Sequence, residues 1–181
     1  MKRTSKAGEA IRSRVGSGFV AGITALLVMA FLVPAAFAQS GKVEKYSIVM
    51  KDYSYTPNKM TWHVGDTVQI TLKNESTDKA HELLMGKDVN YSTDSFGKKY
   101  PDGWKTPLFT DASQVTFGEG TGIAELRADG PETVALNPKG GTVTYTLVVP
   151  DKVGTWQFGC FEENGSHFGD HNMKGTIEIV K

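Results

Sequence analysis

Apolar and polar residues alternate with a period of two along most of the chain after residue 39. Tyr46, Ile48 and Met50 share one face, and so do Val68, Ile70 and Leu72. Val143, Tyr145, Leu147 and Val149 interleave with Thr142, Thr144 and Thr146. Met173, Gly175, Ile177 and Ile179 stand opposite Lys174, Thr176 and Glu178. Successive side chains of a strand point to opposite faces, so each run predicts a strand with one buried side. Turn formers separate the runs at Thr56-Pro57-Asn58, Val64-Gly65-Asp66, Lys139-Gly140-Gly141 and 150–154. No long helical period occurs in this part. The pattern predicts an all-β chain folded as a two-sheet sandwich or barrel.

Two stretches depart from that rhythm. Residues 86–131 are rich in Gly, Asp, Tyr and Lys, with only short candidate strands such as 114–117. The stretch is too long for an ordinary connection, which makes it an insertion within a single domain spanning 39–181. The other departure is N-terminal. Residues 1–14 are basic, and 15–33 are apolar apart from Gly, Ser17 and Thr24. Pro34 then breaks the run, and Ala36-Phe37-Ala38 supplies a small-residue cleavage site before Gln39. Residues 1–38 therefore read as a secretory signal peptide. An uncleaved anchor is the alternative, because 15–33 is just long enough to span a bilayer and would hold the protein at a membrane. Either reading puts the body in the periplasm or otherwise outside the cytoplasm.

Charge and cysteine content narrow the function. The chain has 20 Lys+Arg and 20 Asp+Glu, but five of the basic residues and only one acid (Glu9) fall within 1–38. The body is thus mildly acidic and carries no footprint for phosphate backbones, so nucleic acid is not an expected partner. A single cysteine, Cys160, excludes an internal disulfide and a CxxC redox pair. A lone thiol outside the cytoplasm is exposed to oxidation unless it is buried or held by a metal.

The neighbours of Cys160 favour the metal. Alternation puts Trp156, Phe158 and Cys160 on one strand face, and Met173 opens the next inward-facing run. The loop between them carries His167 and His171, so a thiolate, an imidazole and a thioether can meet at one end of the sandwich. His81, which follows the strand at 67–73 and a polar turn at 74–79, can supply a second imidazole. Two imidazoles and a thiolate with a weak thioether make a mononuclear copper electron-transfer site. His167 has Gly165 and Gly169 around it to let the chain fold back. His171 is so close to Met173 that both would crowd one side of the metal. His63, beside Trp62, reads as structural, Met85 as core, and Glu162 and Glu163 as solvated loop charges.

The sequence resembles the cupredoxins, the blue-copper proteins, over 43–84 and 132–181. The resemblance rests on Asp52-Tyr53-Ser54-Tyr55-x-Pro57, Val64-Gly65-Asp66-Thr67-Val68, Lys73-Asn74 leading to His81, and Gly154-x-Trp156-x-Phe158-x-Cys160 leading to Met173-Lys174-Gly175. It implies a Greek-key β-sandwich with one copper per chain, held by His81, Cys160, His167 and Met173. The family's second histidine stands between the positions that His167 and His171 occupy relative to Met173, so the choice between them stays open here. The long Cys-to-His spacing is similar to that of cupredoxins that partner terminal cytochrome oxidases in acidophiles.

The expected function is an extracytoplasmic copper electron carrier, not an enzyme. It would cycle Cu(I)/Cu(II) between respiratory partners such as cytochrome c or a terminal cytochrome oxidase. Electrons would leave through an imidazole that reaches the surface. Periplasmic copper storage or delivery is the alternative.

Overall fold

The computed structural model describes residues 42–126 and 130–181. The signal peptide expected at 1–38, with its apolar run 15–33, lies outside the described residues. In chain order the strands are β1 (Val43–Lys51), β2 (Ser54–Thr56), β3 (Lys59–His63), β4 (Thr67–Asn74), β5 (His81–Glu82), β6 (Leu84–Thr93) and β7 (Lys99–Pro107). They continue with β8 (Val115–Thr121), β9 (Ile123–Leu126), β10 (Val134–Leu136), β11 (Gly141–Val148), β12 (Gly154–Gly159) and β13 (Lys174–Val180). One four-residue α-helix, α1 (Ser166–Gly169), lies between β12 and β13.

Two five-stranded sheets form the sandwich, in the orders β2-β1-β4-β11-β8 and β3-β13-β12-β6-β7. A small sheet, β5-β10-β9, completes the fold. Burial follows the alternation. Ile48, Val68, Ile70, Leu72, Tyr145 and Leu147 of the first sheet join Trp62, Phe158, Ile177 and Ile179 of the second in one core. Cys160 and Met173 belong to the same core.

Within 86–126 the chain is more regular than its sequence suggests. β6 and β7 form an antiparallel hairpin, and β6 continues the second sheet by pairing Met85 with Phe158 and Leu84 with Gly159. β8 adds an edge to the first sheet beside β11. These strands lie at or near sheet edges, where solvent reaches both faces, so no apolar stripe is needed. β8 is exposed at every position after Val115. A register shift between Val89 and Tyr91 further interrupts any alternation in β6.

Glu132 is an acid within the core, 1% exposed, with Oε1 accepting the Met85 N–H at 3.3 Å. Burial pushes its pKa from 4.5 up to about 7. The folded state then holds the proton more tightly than the unfolded chain does. The group's stability contribution is complete below pH 4.5 and is lost as pH rises through 7. The loss amounts to about 3 kcal/mol. In Glu132→Gln that fall should vanish from denaturation midpoints measured across pH. An unchanged pH profile in the variant would show that the carboxyl is not the cause.

Candidate metal centre

Three donors converge where the second sheet meets the small one. His81 opens β5, Cys160 follows β12, and His167 stands in α1. The Nδ1 atoms of His81 and His167 are 3.2 Å apart. Cys160 Sγ lies 3.7 Å from His81 Nδ1 and 3.2 Å from His167 Nδ1. All three residues are fully buried. A point equidistant from three atoms so spaced lies about 2 Å from each, the length of a metal–nitrogen bond. Size and donor chemistry therefore fit one copper ion, with the imidazoles serving Cu(II) and the sulfur serving Cu(I).

Outer hydrogen bonds orient the ligating nitrogens. His81 Nε2 is 2.8 Å from Ser76 Oγ. With Nδ1 turned to the centre, Nε2 carries the ring proton and donates it to the hydroxyl. Ser76 N–H donates to Asn74 Oδ1 at 3.0 Å. Asn74 Nδ2 in turn donates to the carbonyls of Lys79 and Leu136, at 2.8 and 2.9 Å. The polar turn before His81 is thus braced from within. His167 Nε2 faces the Glu163 carboxylate at 3.6 Å, and Glu163 also pairs with Lys79 at 2.9 Å. Glu163 is accordingly more than a solvated loop charge.

Electrostatics prepare the donors for a cation. Burial, and then the neighbouring His167, lower the His81 pKa to about 4. Burial lowers that of His167 too, although Glu163 opposes it. Both rings are held neutral, with lone pairs available. Burial pushes the Cys160 thiol far up, and the charge of Glu82 adds to the effect. Such a thiol gives up its proton only to a cation that replaces it. The Glu82 N–H, 3.5 Å from Sγ, is placed to stabilise the thiolate once formed.

Met173 is buried and tied by its backbone to two of the three donor residues. Its N–H donates to the His167 carbonyl at 2.9 Å, and its carbonyl accepts the Cys160 N–H at 3.2 Å. The loop from Cys160 to Met173 is closed at its base and braced across its middle. Gly165 turns the loop at φ 73°, where a side chain would run into the Pro101 carbonyl of β7. Next to it, Phe161 and Phe168 stack at 4.6 Å, and Trp104 of β7 meets them edge-on at 5.2 and 5.4 Å. Trp104 Nε1–H donates to the Leu84 carbonyl at 3.1 Å. The β6–β7 hairpin, whose sequence lacks a regular pattern, is a buttress for the loop.

The remaining candidates fall elsewhere. His171 is exposed, and its ring stacks on Tyr53 at 3.8 Å and 9°. Met85 is core. His63 joins Glu44 and Asp66 in a second three-residue group, outside the buried centre. There Glu44 already receives the Lys42 ammonium at 3.1 Å and the Tyr46 hydroxyl at 2.9 Å, as structural ion pairing would have it. One expectation is corrected. Neither His81 nor His167 reaches the surface, because the loop and Tyr53 cover them. Tyr53 and Ser76 carry no sequence signal that marks them as neighbours of the site.

No protein-family model matches the sequence, and no curated protein matches it. Among solved structures, the chain is similar to dithionite-reduced auracyanin from the photosynthetic bacterium Roseiflexus castenholzii. Identity is 22%, with 78% of this chain and 100% of that one covered, at a TM-score of 0.48. It is also similar to auracyanin A, a "blue" copper protein of Chloroflexus aurantiacus, at 17% identity, 76% and 99% coverage and a TM-score of 0.45. A multi-copper oxidase from Pediococcus acidilactici follows at 16% identity and a TM-score of 0.44, with 78% of this chain and 27% of that one covered. The chain is an all-β sandwich that closes two imidazoles and one thiol around a space of copper size.

Proposed function

We propose that this protein is a mononuclear copper electron carrier working outside the cytoplasm, in which His81, Cys160, His167 and Met173 would hold the metal. The observation that carries the reading is the buried triangle of Nδ1, Nδ1 and Sγ atoms. Bound copper supplies a one-electron Cu(I)/Cu(II) couple. The chain's own part is to hold its donors in one geometry for both states, through Ser76, Asn74 and the aromatic buttress. Burial excludes water, so the centre has little to rearrange when its charge changes. The same burial opposes the storage and delivery reading, which calls for ready release of the metal.

Partners would be redox proteins that dock briefly, with cytochrome c or a terminal cytochrome oxidase as the respiratory candidates that the resemblance suggests. The test is to add Cu(II) to the apo-protein. One equivalent should be taken up with an intense visible band, and voltammetry should then give a reversible couple. Colourless uptake, or a couple that is not reversible, would refute electron transfer.

A further inference from the structure

A buried centre that exchanges electrons needs a route to the surface, and no ligand edge supplies one here. His81 and His167 are both fully buried. The ring that bridges this gap belongs to Tyr53. It meets His167 edge-on at 4.9 Å and 79°, and His81 at 6.0 Å and 76°. It also stacks on His171 at 3.8 Å and 9°. His171 is exposed. A continuous set of ring contacts therefore runs from the two imidazoles through Tyr53 to a solvent-facing imidazole.

The backbone holds Tyr53 there against its own preference. β1 and β2 pair Lys51 with Ser54, leaving Asp52 and Tyr53 as the two turn residues at φ 46° and 63°. Turns with positive φ at both central positions favour Asn and Gly. A bulky aromatic in that region is strained, and such strain clusters at functional sites. A glycine would make the same turn more easily. It would not cover the imidazoles or meet His171.

We propose that the Tyr53–His171 stack is the electron port of the protein, in place of an exposed ligand. The occupant is a redox protein that docks over the exposed His171 ring. One electron crosses. Bound copper would supply the Cu(I)/Cu(II) couple, losing one electron as the partner's cofactor gains one, or the reverse. Tyr53 and His171 supply contact only, so neither ring changes its proton or oxidation state. This inference rests on the electron-carrier reading above.

The test uses the full copper-loaded protein, with hexacyanoferrate(III) as oxidant and with electron self-exchange read from NMR line broadening in Cu(I)/Cu(II) mixtures. The visible band is recorded first. With the band kept, His171→Ala and Tyr53→Leu should each slow both rates about tenfold or more. Tyr53→Phe should restore them, because the ring contacts do not need the hydroxyl. A readout without copper separates a port from a cover. In the apo-protein, Tyr53→Leu should speed the reaction of Cys160 with a disulfide reagent, whereas His171→Ala should leave it near wild type. Unchanged exchange in both His171→Ala and Tyr53→Leu would overturn the port, even if the thiol became more reactive. Should Tyr53→Leu disturb the band, His171→Ala alone decides, since its exposed side chain can be removed without opening the core. A wild-type protein that lacks the band would overturn the carrier reading and the port with it. A normal band with unaltered exchange overturns the port alone.

Discussion

Cys160→Ser should bind copper far more weakly and show none of the intense visible absorption of the wild type. The intensity comes from charge transfer between thiolate sulfur and Cu(II), and neither imidazole nitrogen nor a hydroxyl oxygen can supply it. Serine is close in size, so the fold should survive. The Glu82 N–H that faces Sγ can still meet an oxygen. The loss in affinity should exceed the roughly 10–100-fold that removal of an outer hydrogen-bond partner costs a metal site. A soft ligand would be gone and the remaining hydroxyl would keep its proton. Absorption and copper content on the same samples check this, with circular dichroism as the control for folding. A folded Cys160→Ser protein that keeps the band would place the chromophore elsewhere.

The second large effect concerns stability. Trp104→Ala removes the ring against which Phe161 and Phe168 pack, together with its hydrogen bond to Leu84. Trp104 is only half-buried, so the cost should fall somewhat below that of a core tryptophan, at about 2–4 kcal/mol. The damage should also reach the metal, because the ligand loop rests on those phenylalanines. Denaturant unfolding gives the first quantity, and the rate of copper transfer to a chelator gives the second. A loss under about 0.5 kcal/mol, as for an ordinary surface substitution, would mean that the hairpin only lies against the loop.

Much of the sandwich is legible in the amino-acid sequence. The inward faces of β1, β4, β11, β12 and β13 can be read because each borders the core on one side only, which forces strict alternation. Cys160 and His81 stand out because their strands fix the direction of their side chains. The hairpin is not legible. Lys87, Asp88, Asn90 and Ser92 can sit in β6 because its outer half is only partly buried or exposed. His167 is preferred over His171 through its flanking glycines, and its Nδ1 does lie in the cluster. Tyr53 is beyond the reach of pattern, since its place depends on a left-handed turn whose second position local preference would give to glycine. The expected exit imidazole is covered for the same reason, as the cover comes from a turn remote in sequence.

The wide separation of the ligands has a consequence for biosynthesis. Cys160 lies 79 residues after His81, and β13 must find β3 across a still longer stretch. A ribosome adds about 5–20 residues per second, so His81 emerges seconds before its partners do. Pairings this distant form late in folding. A chain interrupted before α1 can hold no copper in this geometry. Metal that binds the folded state alone stabilises it by mass action. Occupancy by copper is therefore a certificate of completed synthesis, and proteases that clear unfinished chains would find the loaded molecules the hardest to open.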